Sequence, residues 1–170
     1  MNEPFTIKPI ETLRKTKDVL FSSVPMMDNL EGITRVMHEP GALSPGSVGD
    51  VKRPWYMHQN QEDNLLVMHG HRVVELYTKE YGRIVKFEVY PEKIIQDGEV
   101  VYEGAAVLHW PTNVFHRIES GADGSKSLNF AVRYDGFDIR TNFNIYEVDT
   151  ETGDFQVARE GHKDQPEGGK

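Results

Sequence analysis

The sequence has no cysteine and no long apolar run, and these two absences narrow the kinds of protein it can encode. Without cysteine there is no disulfide scaffold, no cysteine-bound zinc or iron–sulfur site and no thiol nucleophile. No stretch approaches the roughly 20 apolar residues that a membrane helix needs. The N-terminal residues MNEPFTIKPIE also lack the basic start and apolar core of a secretion signal. We therefore expect a soluble, cytoplasmic protein with no membrane partner.

Positive charge is also in short supply. The chain carries 19 Lys and Arg residues against 27 Asp and Glu residues, which gives a formal net charge of -8. An acidic surface repels phosphate backbones, so nucleic acid is not an expected partner. The length of 170 residues is typical of one domain that buries its own core.

Helical periodicity is scarce as well. Residues 10–23 alone have a mixed apolar and charged pattern that suits a short helix. From residue 32 onward, short runs rich in Val, Ile, Tyr and Phe alternate with Gly, Pro, Asn and Asp, which is typical of an all-β sandwich or barrel. The predicted strands are 33–38, 55–60, 64–69, 72–78, 84–90, 99–102, 105–110, 115–120, 128–133 and 138–146.

This change of texture also predicts the domain organisation. Residues 1–31 form an N-terminal arm that contains the short helix, and residues 32–158 form the β-barrel. Residues 159–170 hold almost nothing apolar and cannot offset the entropy of their own ordering, so this tail is expected to be disordered.

A first segment brings together residues that can carry chemistry. Tyr56 and His58 are two residues apart and share one face of a strand. In the next strand, Asp63, Leu65 and Val67 also share a face, so the carboxylate points inward if that face is the barrel interior. A buried carboxylate must be neutralised, ion-paired, hydrogen-bonded or coordinated to a cation.

A second segment places a histidine after a turn. Pro111 and Asn113 supply a fixed φ and a residue that tolerates positive φ, and His116 follows on the next strand. Together the two segments resemble the motifs of the cupin superfamily, G(X)5HXH(X)3-4E(X)6G and G(X)5PXG(X)2H(X)3N, as in small single-domain RmlC-like cupins. The residues that depart from the motifs are Tyr56 for the first histidine, Asp63 for glutamate, Asn113 for glycine and Ser120 for asparagine, with Gly104 one residue too distant from Pro111.

The resemblance implies a double-stranded β-helix, or jelly-roll, barrel with a site in its mouth. In this family the site often holds a divalent metal on three histidines and one glutamate. Here His58, Asp63 and His116 remain as a two-histidine, one-carboxylate set, which is compatible with Fe, Mn, Ni or Zn. The alternative is a hydrogen-bonded polar cluster without metal.

Other polar residues are weaker candidates. Gln61 and His109 are close enough in sequence to orient the ligands. His69 and His71 flank a glycine and are expected on the exterior. Arginines usually lie on a solvated face, although one that points inward could bind a carboxylate or phosphate. The arginines on or near predicted strands are Arg72, Arg117, Arg133 and Arg140.

Three functions stay open at this point. The first is a metal-dependent enzyme of dioxygenase, isomerase or lyase type that acts on a small polar organic molecule. The second is a metal-free enzyme resembling sugar epimerases and isomerases, with His58 or His116 as general base and Tyr56 as acid. The third is a non-catalytic module that binds a small-molecule ligand. In each case the family resemblance and exposed strand edges suggest a homodimer.

Overall fold

The computed structural model describes residues 2–167, and these residues form antiparallel β-structure with little helix. One short α-helix, α1, covers Ile139–Asn142, and a 3-10 helix covers Gly161–Asp164. The strands are β1 Thr6–Pro9, β2 Glu11–Lys15, β3 Leu20–Ser23, β4 Leu30–His38, β5 Leu43–Ser44, β6 Trp55–Tyr56, β7 Gln61–Tyr77, β8 Val85–Tyr90, β9 Lys93–Gln96, β10 Glu99–Glu103, β11 Ala106–Trp110, β12 Phe115–Arg133, β13 Ile145–Val148 and β14 Phe155–Arg159.

Two long strands, β7 and β12, organise the barrel. They pair antiparallel along most of their length, from Phe115 opposite Tyr77 to Arg133 opposite Gln61. The sheet continues from β7 through β8, β9 and β10, and from β12 through β6, β13 and β14. The strands β4 and β5 pair with β12, while β1 reaches the sheet through β11, which pairs with β7. The all-β jelly-roll prediction is confirmed.

Each long strand bends where two glycines meet. Gly70 and Gly124 both have φ of +70°, a conformation that glycine adopts without a Cβ penalty. A Cβ at Gly70 would overlap the carbonyl oxygen of Gly124. The sequence predicts two strands on either side of each bend, and the structure joins them because a bulge, rather than a chain reversal, separates them.

The main hydrophobic core lies inside the barrel. Alternate residues of β8 are fully buried in it, namely Val85, Phe87 and Val89. They pack with inward residues of β7 and β11, including Val74, Leu76, Ala106 and Leu108.

The helix predicted for residues 10–23 is wrong. The strands β2 and β3 pair there as a hairpin, closed by the Thr16 N–H donating to the Val19 carbonyl at 2.8 Å. Val19, Leu20 and Phe21 are consecutive, so a helix cannot place all three on one face. The predicted strand 138–146 is also partly wrong, because Asp138 caps α1 there.

The prediction of a disordered tail differs from the structure up to residue 167. The Gly161 N–H donates to Asn144 Oδ1 at 2.8 Å, and Arg159 pairs with Asp164 at 2.8 Å. These polar contacts take the place of the apolar burial that the tail lacks. Residues 168–170 lie outside the described residues, and the domain boundaries after residues 31 and 158 stay predictions. Within residues 2–167 no helix is long and apolar enough to cross a membrane.

Candidate functional site

The site lies inside the barrel, where four elements meet. Tyr56 lies on β6, and His58 lies in the connection from β6 to β7. Asp63 is the third residue of β7, and His116 is the second residue of β12. Tyr56 pairs directly with His116 in the sheet register. The side chains of His58, Asp63 and His116 are each no more than 5% exposed. The inward orientation that strand alternation predicts for Asp63 is therefore present, and both histidines are buried with it.

Both histidines face the same carboxylate oxygen. His58 Nε2 lies 3.2 Å from Asp63 Oδ2, and His116 Nε2 lies 3.4 Å from the same atom. The two imidazole centroids are 4.8 Å apart. The carboxylate is thus shared between two rings rather than paired with one.

Backbone carbonyls fix the other nitrogen of each ring. His58 Nδ1–H donates to the Asn142 carbonyl at 2.5 Å, and His116 Nδ1–H donates to the Val114 carbonyl at 3.1 Å. Asn113, with φ of +63°, forms the turn before His116, and its N–H donates to the His58 carbonyl at 2.8 Å. The turn residue that replaces the motif glycine therefore also ties the two histidine segments together.

The second oxygen of Asp63 is held by two amides. Gln61 Nε2 and Asn129 Nδ2 each donate to Asp63 Oδ1 at 2.8 Å. Gln61 in turn accepts at Oε1 from Arg133 Nε at 3.1 Å. Gln61 thus orients the site as predicted. His109 does not, because its Nε2 lies 2.9 Å from Glu62 Oε2 instead.

The pKa values of the two histidines shift in opposite directions. Burial opposes protonation of His58, but the Asp63 carboxylate and the Asn142 carbonyl raise its pKa above 6.5. Burial, together with the charge of His58, lowers the pKa of His116 to about 4. Burial would raise the pKa of Asp63, yet the two histidines hold it well below its usual range. At neutral pH His116 is therefore a neutral imidazole beside the Asp63 carboxylate, while His58 binds a proton more readily than a free histidine does.

A cavity of about 120 Å³ adjoins the cluster. Tyr56 and Trp110 border it beside His116, with ring centroids 5.9 and 5.1 Å from that imidazole. Burial raises the pKa of the Tyr56 phenol, so it stays protonated. A larger pocket of about 440 Å³ lies beyond Tyr56 and Phe143, and the C-terminal segment with Gly161 and Asp164 forms its far wall.

Two further polar residues border the cavity, and of these only Arg72 was a candidate from the sequence. Arg72 is 1% exposed, although an outer face was expected for it, and His38 also borders the cavity. Arg72, Val74 and Leu76 are alternate residues of β7 and therefore share one face of the strand. This pattern in the sequence could have placed Arg72 inside the barrel.

The remaining candidates lie away from the cluster. His69 is exposed, and His71 stacks on Tyr90 with centroids 4.7 Å apart. Arg117 contacts Glu75 and the ring of Trp55. Arg140 lies on α1, His162 lies in the C-terminal 3-10 helix, and neither borders the cavity.

The donor set of the cluster fits a divalent metal. The ligand atoms of His58, Asp63 and His116 lie within 4.8 Å of one another. Two ligands about 2.1 Å from one metal are roughly 3.0–3.4 Å apart, which is the separation of each Nε2 from Asp63 Oδ2. The same distances also suit hydrogen bonds, so the geometry is compatible with a proton or a metal between these atoms.

Comparison with known proteins identifies the fold. No protein-family model matches the chain, and no curated protein matches it. Solved structures do match. A dTDP sugar isomerase from Desulfovibrio desulfuricans has a TM-score of 0.56 and 13% identity over 79% of this chain and 81% of that chain. The sugar 3,4-ketoisomerase QdtA from Thermoanaerobacterium thermosaccharolyticum, in complex with TDP, has a TM-score of 0.55 and 12% identity over 81% and 85%.

A third match is the TDP-quinovose 3,4-ketoisomerase WlaRB from Campylobacter jejuni, with a TM-score of 0.51 and 13% identity over 81% of this chain and 89% of that one. At these identities the likeness concerns the path of the chain and not its chemistry. It agrees with the antiparallel β-structure of this chain. The chain therefore shares the fold of these structures, which is the barrel fold that the cupin resemblance implied.

Proposed function

We propose that the protein is an isomerase that moves a proton within a small hydroxy-carbonyl compound, with His116 as general base and Tyr56 as general acid. The observation that carries this proposal is the placement of Tyr56 and His116 side by side at the cavity, with ring centroids 5.9 Å apart. His116 Nδ1–H donates to the Val114 carbonyl, so the base nitrogen is Nε2, which also lies 3.4 Å from Asp63 Oδ2. Tyr56 keeps its proton because burial raises the pKa of the phenol.

The reaction needs one base and one acid. His116 Nε2 takes a proton from the carbon next to the carbonyl, the C–H electrons form a C=C bond, and the carbonyl oxygen takes the phenol proton of Tyr56. A proton then returns to the former carbonyl carbon. The hydroxyl on the carbon that was first deprotonated loses its proton and becomes the new carbonyl. Asp63, 3.4 Å from His116 Nε2, stabilises the imidazolium that forms. His58 holds Asp63 in place, since its Nδ1 is bound to the Asn142 carbonyl and its Nε2 lies 3.2 Å from Asp63 Oδ2.

The known structures with this fold support the reaction class. Three of them are described as sugar isomerases or 3,4-ketoisomerases, which act on hydroxy-carbonyl compounds. The proposal therefore favours proton transfer over dioxygenase or lyase chemistry.

Deuterium exchange tests the proposal. The protein is incubated in D₂O with a panel of small hydroxy ketones and keto sugars, and loss of the α-proton signal is followed by NMR. We expect exchange that falls at least about 100-fold in His116→Gln and about 10-fold or more in Tyr56→Phe. His71→Gln, at a histidine outside the cavity, is the matched control and keeps the wild-type rate. Unchanged exchange in His116→Gln, or ligand binding without any exchange, would contradict the proposal.

A metal centre is the second candidate, and one observation favours it. Both histidines donate from Nδ1 to a backbone carbonyl and direct Nε2 to one carboxylate oxygen, as ligands of a metal do. A bound ion would polarise the carbonyl of the substrate. Elemental analysis of tag-free protein decides between the two. Metal near one per chain that is lost in His58→Ala and His116→Ala supports a metal centre, and metal-free protein with full exchange activity excludes it.

A further inference from the structure

A buried arginine occupies the cavity together with the His–Asp–His cluster. Arg72 is 1% exposed, and its guanidinium is held by the barrel wall. Nε donates to Ser125 Oγ at 2.8 Å, Nη1 to Ser127 Oγ at 2.5 Å and Nη2 to the Val36 carbonyl at 3.1 Å. A guanidinium has five N–H donors, so these three bonds fix its plane and leave two donors.

The charge of Arg72 has no anionic partner within the described residues. No Asp or Glu oxygen of residues 2–167 lies within 4.0 Å of its nitrogens. The half-buried Arg117, by contrast, contacts Glu75. Burial lowers the pKa of Arg72 to about 10, which still leaves it charged at neutral pH. A buried charge without a counter-charge is costly, so an arginine kept in this state points to an anion that comes from outside the chain.

The rest of the cavity does not neutralise Arg72. Asp63 also borders the cavity, but His58 and His116 share its carboxylate and two amides satisfy its other oxygen. His38 also borders the cavity. Burial and the charge of Arg72 lower its pKa to about 4, so it is neutral at neutral pH. Arg133 also lines the cavity, so two arginines face one aspartate there although the chain carries a net charge of -8.

We propose that Arg72 binds a carboxylate of the substrate, so that the substrate is a small carbonyl compound bearing a carboxylate. This inference rests on the proposed isomerase function and narrows its substrate class. The cavity of about 120 Å³ suits a molecule of a few heavy atoms that reaches from Arg72 to His116. A planar carboxylate matches the planar guanidinium and its single charge, whereas phosphate carries more charge than Arg72 compensates.

Binding measurements with matched probes test the inference. Isothermal titration at neutral pH compares pyruvate and lactate with lactamide, which has the same shape as lactate without its charge, and with inorganic phosphate. We expect the carboxylates to bind the wild type at least 10-fold more tightly than lactamide or phosphate. Arg72→Gln should weaken carboxylate binding at least 30-fold. Arg35→Gln is the control, because Arg35 is an exposed residue of β4. This variant should bind the probes as the wild type does.

The outcomes separate this inference from the isomerase proposal. Equal binding of lactate and lactamide by the wild type, or preference for phosphate, overturns the role of Arg72 even where Arg72→Gln fails to fold. Arg72→Lys adds a second variant that keeps the charge but not the planar donor pair, and it should recover only part of the affinity. Carboxylate binding that persists in His116→Gln without deuterium exchange supports the role of Arg72 independently. Exchange of keto sugars without carboxylate binding would leave the isomerase proposal standing and reject this one.

Discussion

Asn113 shows how one residue can link backbone conformation to the site. It has φ of +63°, and its N–H holds the His58 carbonyl. Asparagine tolerates this left-handed conformation, but a β-branched residue does not. We expect Asn113→Val to lower the free energy of unfolding by about 1–3 kcal/mol, and Asn113→Gly to change it by less than about 0.5 kcal/mol. Urea unfolding measures both, and Thr112→Val at the neighbouring turn position is the control.

We also predict that His38 makes the stability of the fold sensitive to acid. Its Nδ1 is buried without a partner, and burial, with the charge of Arg72, lowers its pKa to about 4. The unfolded chain binds a proton at His38 near pH 6.5 while the folded chain does not, so stability falls as pH decreases from about 6.5 to 4. The loss from this residue is at most about 2 kcal/mol between pH 6.5 and 5. Urea unfolding at pH 7 and pH 5 should show a smaller loss in His38→Gln than in the wild type, and equal losses would refute the assignment.

The residues of the cluster could be predicted, but their surroundings could not. The resemblance to the cupin motifs singled out His58, Asp63 and His116, and strand alternation predicted that Asp63 faces inward, because a period of two decides which side chains share a face. The carbonyl of Asn142, which holds His58, comes from 84 residues further along the chain. Such a partner depends on tertiary packing and leaves no local pattern.

At the scale of the element, the bend shared by β7 and β12 is the most sensitive point of the barrel. Gly70 has φ of +70°, and a side chain there would overlap the Gly124 carbonyl. Backbone strain and steric overlap both oppose alanine. We expect Gly70→Ala to lower the free energy of unfolding by more than about 3 kcal/mol, measured by thermal and urea unfolding.

Gly46→Ala is the matched control for that substitution. Gly46 lacks a positive φ, and a Cβ there would meet no atom within 4 Å. Its replacement should change stability by less than about 1 kcal/mol and can increase it by restricting the unfolded chain. Similar losses in the two variants would mean that the bend tolerates side chains.

The strands themselves were predicted better than their connections. Inward alternation in β8 and the turn before β12 are local features, and the structure has both. The β2–β3 hairpin was missed because its register depends on pairing between strands and not on apolar periodicity. The strands β9 and β14 were missed for the same reason, since each has only 4 or 5 residues and depends on pairing with its neighbours.

At the scale of the whole molecule, exposed apolar side chains offer a surface for the homodimer, which stays a prediction. The hairpin β2–β3 is a two-stranded sheet of its own, and all its side chains are exposed. A lone hairpin is marginal in water. Apolar side chains are also exposed on β4, whose pairing within residues 2–167 is with β12 on one edge. The exposed apolar residues of the two elements are Leu13, Leu20, Phe21, Leu30, Ile33 and Met37.

These side chains should pack against a second copy of the chain, because burial of apolar area is favourable and the hairpin has little support of its own. We expect sedimentation velocity to show a dimer at micromolar concentration and Phe21→Glu to weaken its association at least 10-fold. Val100→Glu is the control, since Val100 is 51% exposed, against 54% for Phe21, but lies on β10 in the main sheet. A wild-type monomer at high concentration, or equal dissociation in the two variants, would show that the hairpin does not form the interface.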